Sequence, residues 1–144
     1  MAETNYFPRR LILAGAVVAG VLLALAVHML GARYGLDLGG LWRSDSSGFM
    51  PATAAVGWWL IASVGFCGGY FTAAVMHSAV SGRIPPRMRQ FLVAIGVLVL
   101  AAAGQAASAP TPIPTISGVL AGFAALSLGA VMAFSGAYFA LRKA

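Results

Sequence analysis

Four long apolar runs constrain this chain more than any other feature of its sequence. They cover residues 11–30, 53–78, 91–108 and 115–141, and none of them contains Asp, Glu, Lys or Arg. An α-helix rises about 1.5 Å per residue, so roughly 20 apolar residues cross a hydrocarbon core of about 30 Å. We therefore predict an all-α integral membrane protein, in which residues 1–144 form a single four-helix bundle of two transmembrane hairpins.

The composition excludes a water-soluble surface for most of the chain. Hydrophobic residues make up 60% and charged residues 8%, whereas a soluble domain has roughly 25% charged residues. The pI of about 10.5 does not indicate nucleic-acid binding. Nucleic-acid binders cluster Lys and Arg on one solvated face, and here the bases lie between apolar runs. The lipid bilayer is the expected partner.

The first run has an alternative interpretation as a cleaved signal peptide. Arg9 and Arg10 would be its basic segment, the following apolar residues its core, and Ala24-Leu25-Ala26 the small-residue cleavage site. We expect instead an uncleaved helix that stays in the membrane.

Three connections join the runs. Residues 31–51 form a mixed polar loop, and Pro51 suits the first turn of the helix that follows. Residues 82–90 form a basic turn in which Pro85-Pro86 ends one helix and can start the next. In residues 110–114 every second residue is proline, which predicts a short, stiff and extended link.

The distribution of Lys and Arg predicts the orientation. Two bases, Arg33 and Arg43, lie on one side of the expected membrane. The other side carries the excess that marks the cytoplasm, and both termini lie there. We therefore expect a multi-pass protein of a bacterial inner membrane. The bases on the cytoplasmic side are Arg9, Arg10, Arg83, Arg87, Arg89, Arg142 and Lys143.

Small residues form seams along the runs. Gly65 and Gly69 are a small-xxx-small pair in the second run, whereas Gly15, Ala19 and Ala26 form a weaker set in the first. Because the runs contain no Asp, Glu, Lys or Arg, the helices must associate mainly by close packing. We favour packing within the bundle; the alternative is docking of a partner subunit or a second copy. The fourth run has the longest seam, Gly118, Gly122, Ala125, Gly129 and Gly136.

The sequence assigns no catalytic residue, no metal site and no cofactor. His28 and His77 end the first and second runs on opposite sides of the membrane, so they cannot hold one haem within the chain. The single cysteine, Cys67, excludes an internal disulfide, and we expect it to pack in the bundle. Arg83, Arg87 and Arg89 are expected to contact lipid headgroups or a partner.

The function expected from these features is that of a non-catalytic accessory, assembly or scaffold subunit of a larger membrane complex. The alternative is a small transporter or channel subunit that works as an oligomer. A weaker third hypothesis is an enzyme that uses Cys67 or the loop residues Asp37, Arg43 and Asp45, but no nucleophile–base pair can be assigned among them.

Overall fold

The computed structural model describes residues 6–34, 52–82, 85–108 and 116–143, and this part of the chain is helical without a strand. The all-α class is therefore confirmed for the described residues. Asp37, Arg43, Asp45, Arg83 and the proline link 110–114 lie outside them. The helices are α1 (Tyr6–Arg33), α2 (Ala52–Val80), α3 (Pro86–Ser108) and α4 (Ile116–Lys143).

Proline and glycine explain where the helices begin and end. Pro8 lies in the first turn of α1, where the backbone N–H groups have no partner within the helix and a proline is tolerated. At the start of α3, the N–H groups of Met88 and Arg89 both donate to the Pro85 carbonyl, at 3.0 and 3.2 Å. After α2, Gly82 has a φ of 70°, a left-handed conformation that ends helices and favours glycine.

Three helices in the described part of the chain are long and apolar enough to cross a membrane. The qualifying segments are Pro8–Gly31 in α1, Ala54–Val80 in α2 and Gly118–Lys143 in α4, with mean hydropathies of 2.5, 1.5 and 1.9. These lengths and compositions are those of a membrane protein. The expected spans 11–30, 53–78 and 91–108 lie inside α1, α2 and α3, and the fourth expected span, 115–141, starts one residue before α4.

Helices α1, α2 and α4 pack against one another in all three pairings and form what we call the three-helix core. The side chains buried in it are Ala, apart from Ile12 and Ile61, and the remaining buried positions are glycines. On each helix most of these positions recur every four residues, which places them on one face. The stripes are Ile12, Ala16, Gly20 and Ala24 on α1; Ile61, Gly65, Gly69 and Ala73 on α2; and Ala121, Ala125, Gly129, Ala133 and Ala137 on α4.

Large apolar side chains point outward from the same helices. Leu22 of α1 is 60% exposed, Trp59 of α2 66% and Phe123 of α4 68%. This is the reverse of a soluble protein, in which large apolar residues fill the interior. Helix α3 lies at the edge of the core and packs mainly against α1.

Candidate functional site

The closest helix contacts in the core surround Ala133 of α4. A Cβ added at Gly69 of α2 would overlap the Ala133 backbone carbonyl, and one added at Gly20 of α1 would overlap the Ala133 Cβ and lie 2.8 Å from the carbonyl oxygen of Gly129. Both neighbouring helices therefore need glycine where they meet this part of α4. Ala133 is the point at which the three backbones approach one another.

The predicted seam glycines on α2 and α4 lie largely in these contacts within the chain. A Cβ at Gly65 would lie 3.2 Å from the Gly129 carbonyl oxygen, one at Gly129 would overlap Ala24 of α1, and one at Gly136 would overlap the Phe66 carbonyl. Ala125 is fully buried in a cluster with Ala24 and Ile61. These five seam residues, Gly65, Gly69, Ala125, Gly129 and Gly136, are thus occupied by neighbouring helices of the same chain.

The other two seam residues, Gly118 and Gly122, are only half-buried. A Cβ at Gly122 would lie 3.7 Å from His28 Nε2, an ordinary contact. The His28 Nδ1 atom is buried and has no hydrogen-bond partner among the described residues. The first turns of α4 therefore make room for an imidazole on α1.

Nothing in the described ranges gathers a metal or haem site around the histidines. His77 is exposed, and its neighbour Met76 lies 2.9 Å from the Cβ position of Gly15. Gly15 precedes His28 by 13 residues on α1, a separation of about 20 Å along the helix. The described residues contain no group of three His, Cys, Asp or Glu side chains close enough to hold a metal ion.

Cys67 is exposed on α2, so the expectation that it packs inside the bundle is wrong. It is two residues from both Gly65 and Gly69, which are buried in the core. Residues two apart on a helix do not share a face, so the thiol points away from the core. Its glycine-rich surroundings in the sequence suggested burial, but the helical register decides otherwise.

One end of the molecule is basic. The Arg9 guanidinium of α1 lies 5.9 Å from the ring centroid of Tyr138 near the end of α4, so these two helix ends are adjacent. The contact between Gly15 and Met76 brings the end of α2 to the same side, and Arg87 and Arg89 follow, both exposed, at the start of α3. The part of the chain that the structure describes contains no Asp or Glu to pair with these bases.

Helix α3 has an exposed side that no sequence pattern predicted. Its half-buried positions are Met88, Leu92 and Ile95. An exposed stripe, which we call the α3 outer face, follows the spacing i, i+3, i+4, i+7 and i+11. It contains two glycines whose Cβ positions have no atom of the described residues within 4 Å. Its residues are Val93, Gly96, Val97, Leu100 and Gly104.

A hydrogen bond between side chains links α3 to α1 at the far end of the molecule. The Tyr34 hydroxyl donates to Gln105 Oε1 at 3.1 Å, and both side chains are exposed. Gln105 is the only amide in its apolar run, and this marks the contact in the sequence; no sequence pattern identified Tyr34 as its partner. Comparison of the chain with protein-family models, with curated proteins and with solved structures finds no match.

Proposed function

We propose that this chain is a four-span protein of a bacterial inner membrane, with both termini cytoplasmic, and that it is a non-catalytic accessory, assembly or scaffold subunit of a larger membrane complex. The observation that supports the proposal most strongly is the α3 outer face, which is apolar, exposed and open at both of its glycines. A helix of a partner subunit docks on this face.

Membrane placement rests on the distribution of side chains. The outward-pointing leucines, valines and phenylalanines of the core suit lipid, and the interior of small residues suits helices that associate by close contact in lipid. The fourth span of the proposal is the run 91–108 of α3, which contains no charged residue. The basic end then faces the cytoplasm, in accordance with the positive-inside rule.

The glycines distinguish a partner surface from a plain lipid surface. Glycine lowers the stability of a helix by about 1 kcal/mol relative to alanine, and contact with lipid does not offset this loss. In a membrane, glycine allows a second helix backbone to approach closely. Gly65, Gly69, Gly129 and Gly136 each meet a neighbouring helix in this way, whereas Gly96 and Gly104 have no such neighbour among the described residues. A helix from another subunit supplies it.

The transporter alternative requires an oligomer. Among the described residues no polar or charged side chain is fully buried, and His28 places only one buried nitrogen in the three-helix core, so these residues offer no polar path. A pore would have to form between copies. No observation on the described residues favours this over docking of a different subunit.

Photocrosslinking in intact cells tests the proposal. A photoreactive amino acid at Leu100 should crosslink to one identified foreign membrane protein, and Gly104→Leu should abolish that crosslink because the added side chain blocks close approach. The matched control is Ala94→Leu, since Ala94 is exposed on α3 outside the outer face. This variant should crosslink as the wild type does.

Three results would contradict the proposal. Crosslinks to lipid alone would show that the α3 outer face is a bilayer surface. Crosslinks to a second copy of this chain would favour the oligomeric transporter, which conductance measurements on the purified protein could then examine. Equal loss of crosslinking in Gly104→Leu and Ala94→Leu would show that the α3 outer face is not a distinct docking surface.

A further inference from the structure

An open groove lies between the C-terminal part of α2 and the first turns of α3. Its volume is about 470 Å³, within the range of small-molecule sites. Apart from Thr72 and Arg87 its lining is apolar. Its lining includes Phe71, Val75 and Met76 on α2, and Arg87, Met88 and Leu92 on α3.

The floor of the groove is held by the three-helix core. Met76 both lines the groove and packs against the core cluster that includes Ile12 and Ala73. The absence of a side chain at Gly15 leaves room for the Met76 side chain, because a Cβ at Gly15 would lie 2.9 Å from the Met76 sulfur. The groove therefore has one side fixed by α2 and the other formed by the more loosely packed α3.

The charge at the groove selects an anion. Arg87 is exposed at its rim, in the first turn of α3, where the helix dipole adds further positive potential. The same dipole disfavours a cation at this position unless an anion is present. The described residues contain no carboxylate, so none of them supplies the counter-charge.

We propose that the groove binds one anionic phospholipid, with an acyl chain against Val75, Met76 and Leu92 and the headgroup phosphate at Arg87. An apolar channel next to a single guanidinium at the cytoplasmic end matches the two halves of such a molecule. The inference rests on the membrane placement proposed above, but not on a partner at the α3 outer face.

Arg89 provides a matched control. It is a second exposed arginine in the same turn of α3, but it does not line the groove. A diffuse attraction between the basic end and anionic lipid would use Arg87 and Arg89 alike. A specific site uses Arg87 alone.

Native mass spectrometry of the purified full chain, released from micelles that contain equal amounts of phosphatidylglycerol and phosphatidylcholine, tests the site. We expect one retained phosphatidylglycerol. Arg87→Gln should reduce its retention relative to phosphatidylcholine about fivefold, which corresponds to one lost contact between a base and a phosphate. Arg87→Lys should keep most of the preference, and Arg89→Gln should keep all of it. Val75→Trp should lower the retention of both lipids by filling the groove.

The contradicting outcomes are distinct. Equal losses in Arg87→Gln and Arg89→Gln would show only diffuse attraction. Displacement of the lipid by inorganic phosphate, without acyl chains, would show that the groove is not part of the site. A chain that stays soluble without detergent or lipid would overturn the membrane placement itself, whereas loss of the lipid preference alone leaves the proposed subunit function standing.

Discussion

The three-helix core and α3 use glycine in opposite surroundings. In the core, Gly20, Gly69 and Gly129 lie so close to neighbouring backbones that even a methyl group would overlap them. In α3, no described residue comes within 4 Å of the Cβ positions of Gly96 and Gly104. The same residue type therefore lies in helix contacts in one region and, in the other, on the face where we propose that a partner docks.

This difference indicates which helix faces are packed within the chain and which are not. The core has satisfied its small-residue faces within the chain, and its outward surface consists of large side chains suited to lipid. Helix α3 packs mainly against α1 and keeps exposed apolar residues on several faces, including Leu98 and Leu100 at 69% and 74% exposure. The proposed partner completes α3 in the way that α4 completes α1 and α2.

The largest expected effect comes from Gly69→Ala in the core. The new methyl group would overlap the Ala133 carbonyl and Cα, and a helix backbone cannot move aside as a flexible side chain can. Overpacking costs typically 1–3 kcal/mol, and we expect a loss of about 3 kcal/mol in the free energy of unfolding. Reversible unfolding in mixed detergent micelles, followed by circular dichroism, measures it.

Gly104→Ala is the matched substitution in α3. No atom of the described residues lies within 4 Å of its Cβ position, so the higher helix propensity of alanine should stabilise the isolated chain by up to roughly 1 kcal/mol. If Gly69→Ala and Gly104→Ala change stability by the same amount, the contrast between the two regions does not exist.

The sequence predicted the described helices well because uncharged apolar runs of this length are typical of helices long enough to cross a membrane. It predicted the packing faces less completely. The α4 seam was chosen from glycines, and the stripe buried in the core shares Ala125 and Gly129 with it but continues through Ala121, Ala133 and Ala137. Alanine is common on every face of these runs, so only the relative rotation of packed helices shows which alanines are inside.

On α1 the register also differed from expectation. The sequence favoured Gly15, Ala19 and Ala26, all of them half-buried, whereas Ala16 and Ala24 are fully buried. The groove beside Met76 and the α3 outer face depend on how whole helices are placed, and no local pattern encodes that. The basic end was foreseeable, because a charge remains conspicuous in an apolar sequence.

A second prediction compares two alanines, with an intermediate effect. Ala133→Val adds two methyl groups where Gly20 and Gly69 approach α4, and we expect it to cost about 2 kcal/mol through overpacking. Ala101→Val, at an exposed position of α3, carries the same change in helix propensity and should cost less than about 0.7 kcal/mol. The same micelle unfolding measurement applies. Equal costs would mean that Ala133 is not a point of close contact.

A third prediction concerns a close contact in which the neighbouring side chain can rotate away. Gly15→Ala places a methyl group 2.9 Å from the Met76 sulfur and 3.2 Å from its Cε, but a methionine side chain can rotate away. The expected net loss is at most about 1 kcal/mol, because the higher helix propensity of alanine offsets part of the strain. A double-mutant cycle with Met76→Ala should show coupling between the two positions. Additive effects would show that Met76 does not rest on Gly15.

The most localised effect is expected for Tyr34→Phe, and it should be confined to α3. The substitution removes the hydroxyl that donates to Gln105, and a hydrogen bond of this kind contributes about 1 kcal/mol. Because α3 packs mainly against α1, its loosening leaves the contacts among α1, α2 and α4 in place. Hydrogen exchange followed by mass spectrometry should therefore show up to about fivefold faster exchange of α3 amides, with the core peptides unchanged. Faster exchange throughout the core would mean that α3 is an integral part of it, and the distinction between the two regions would fail.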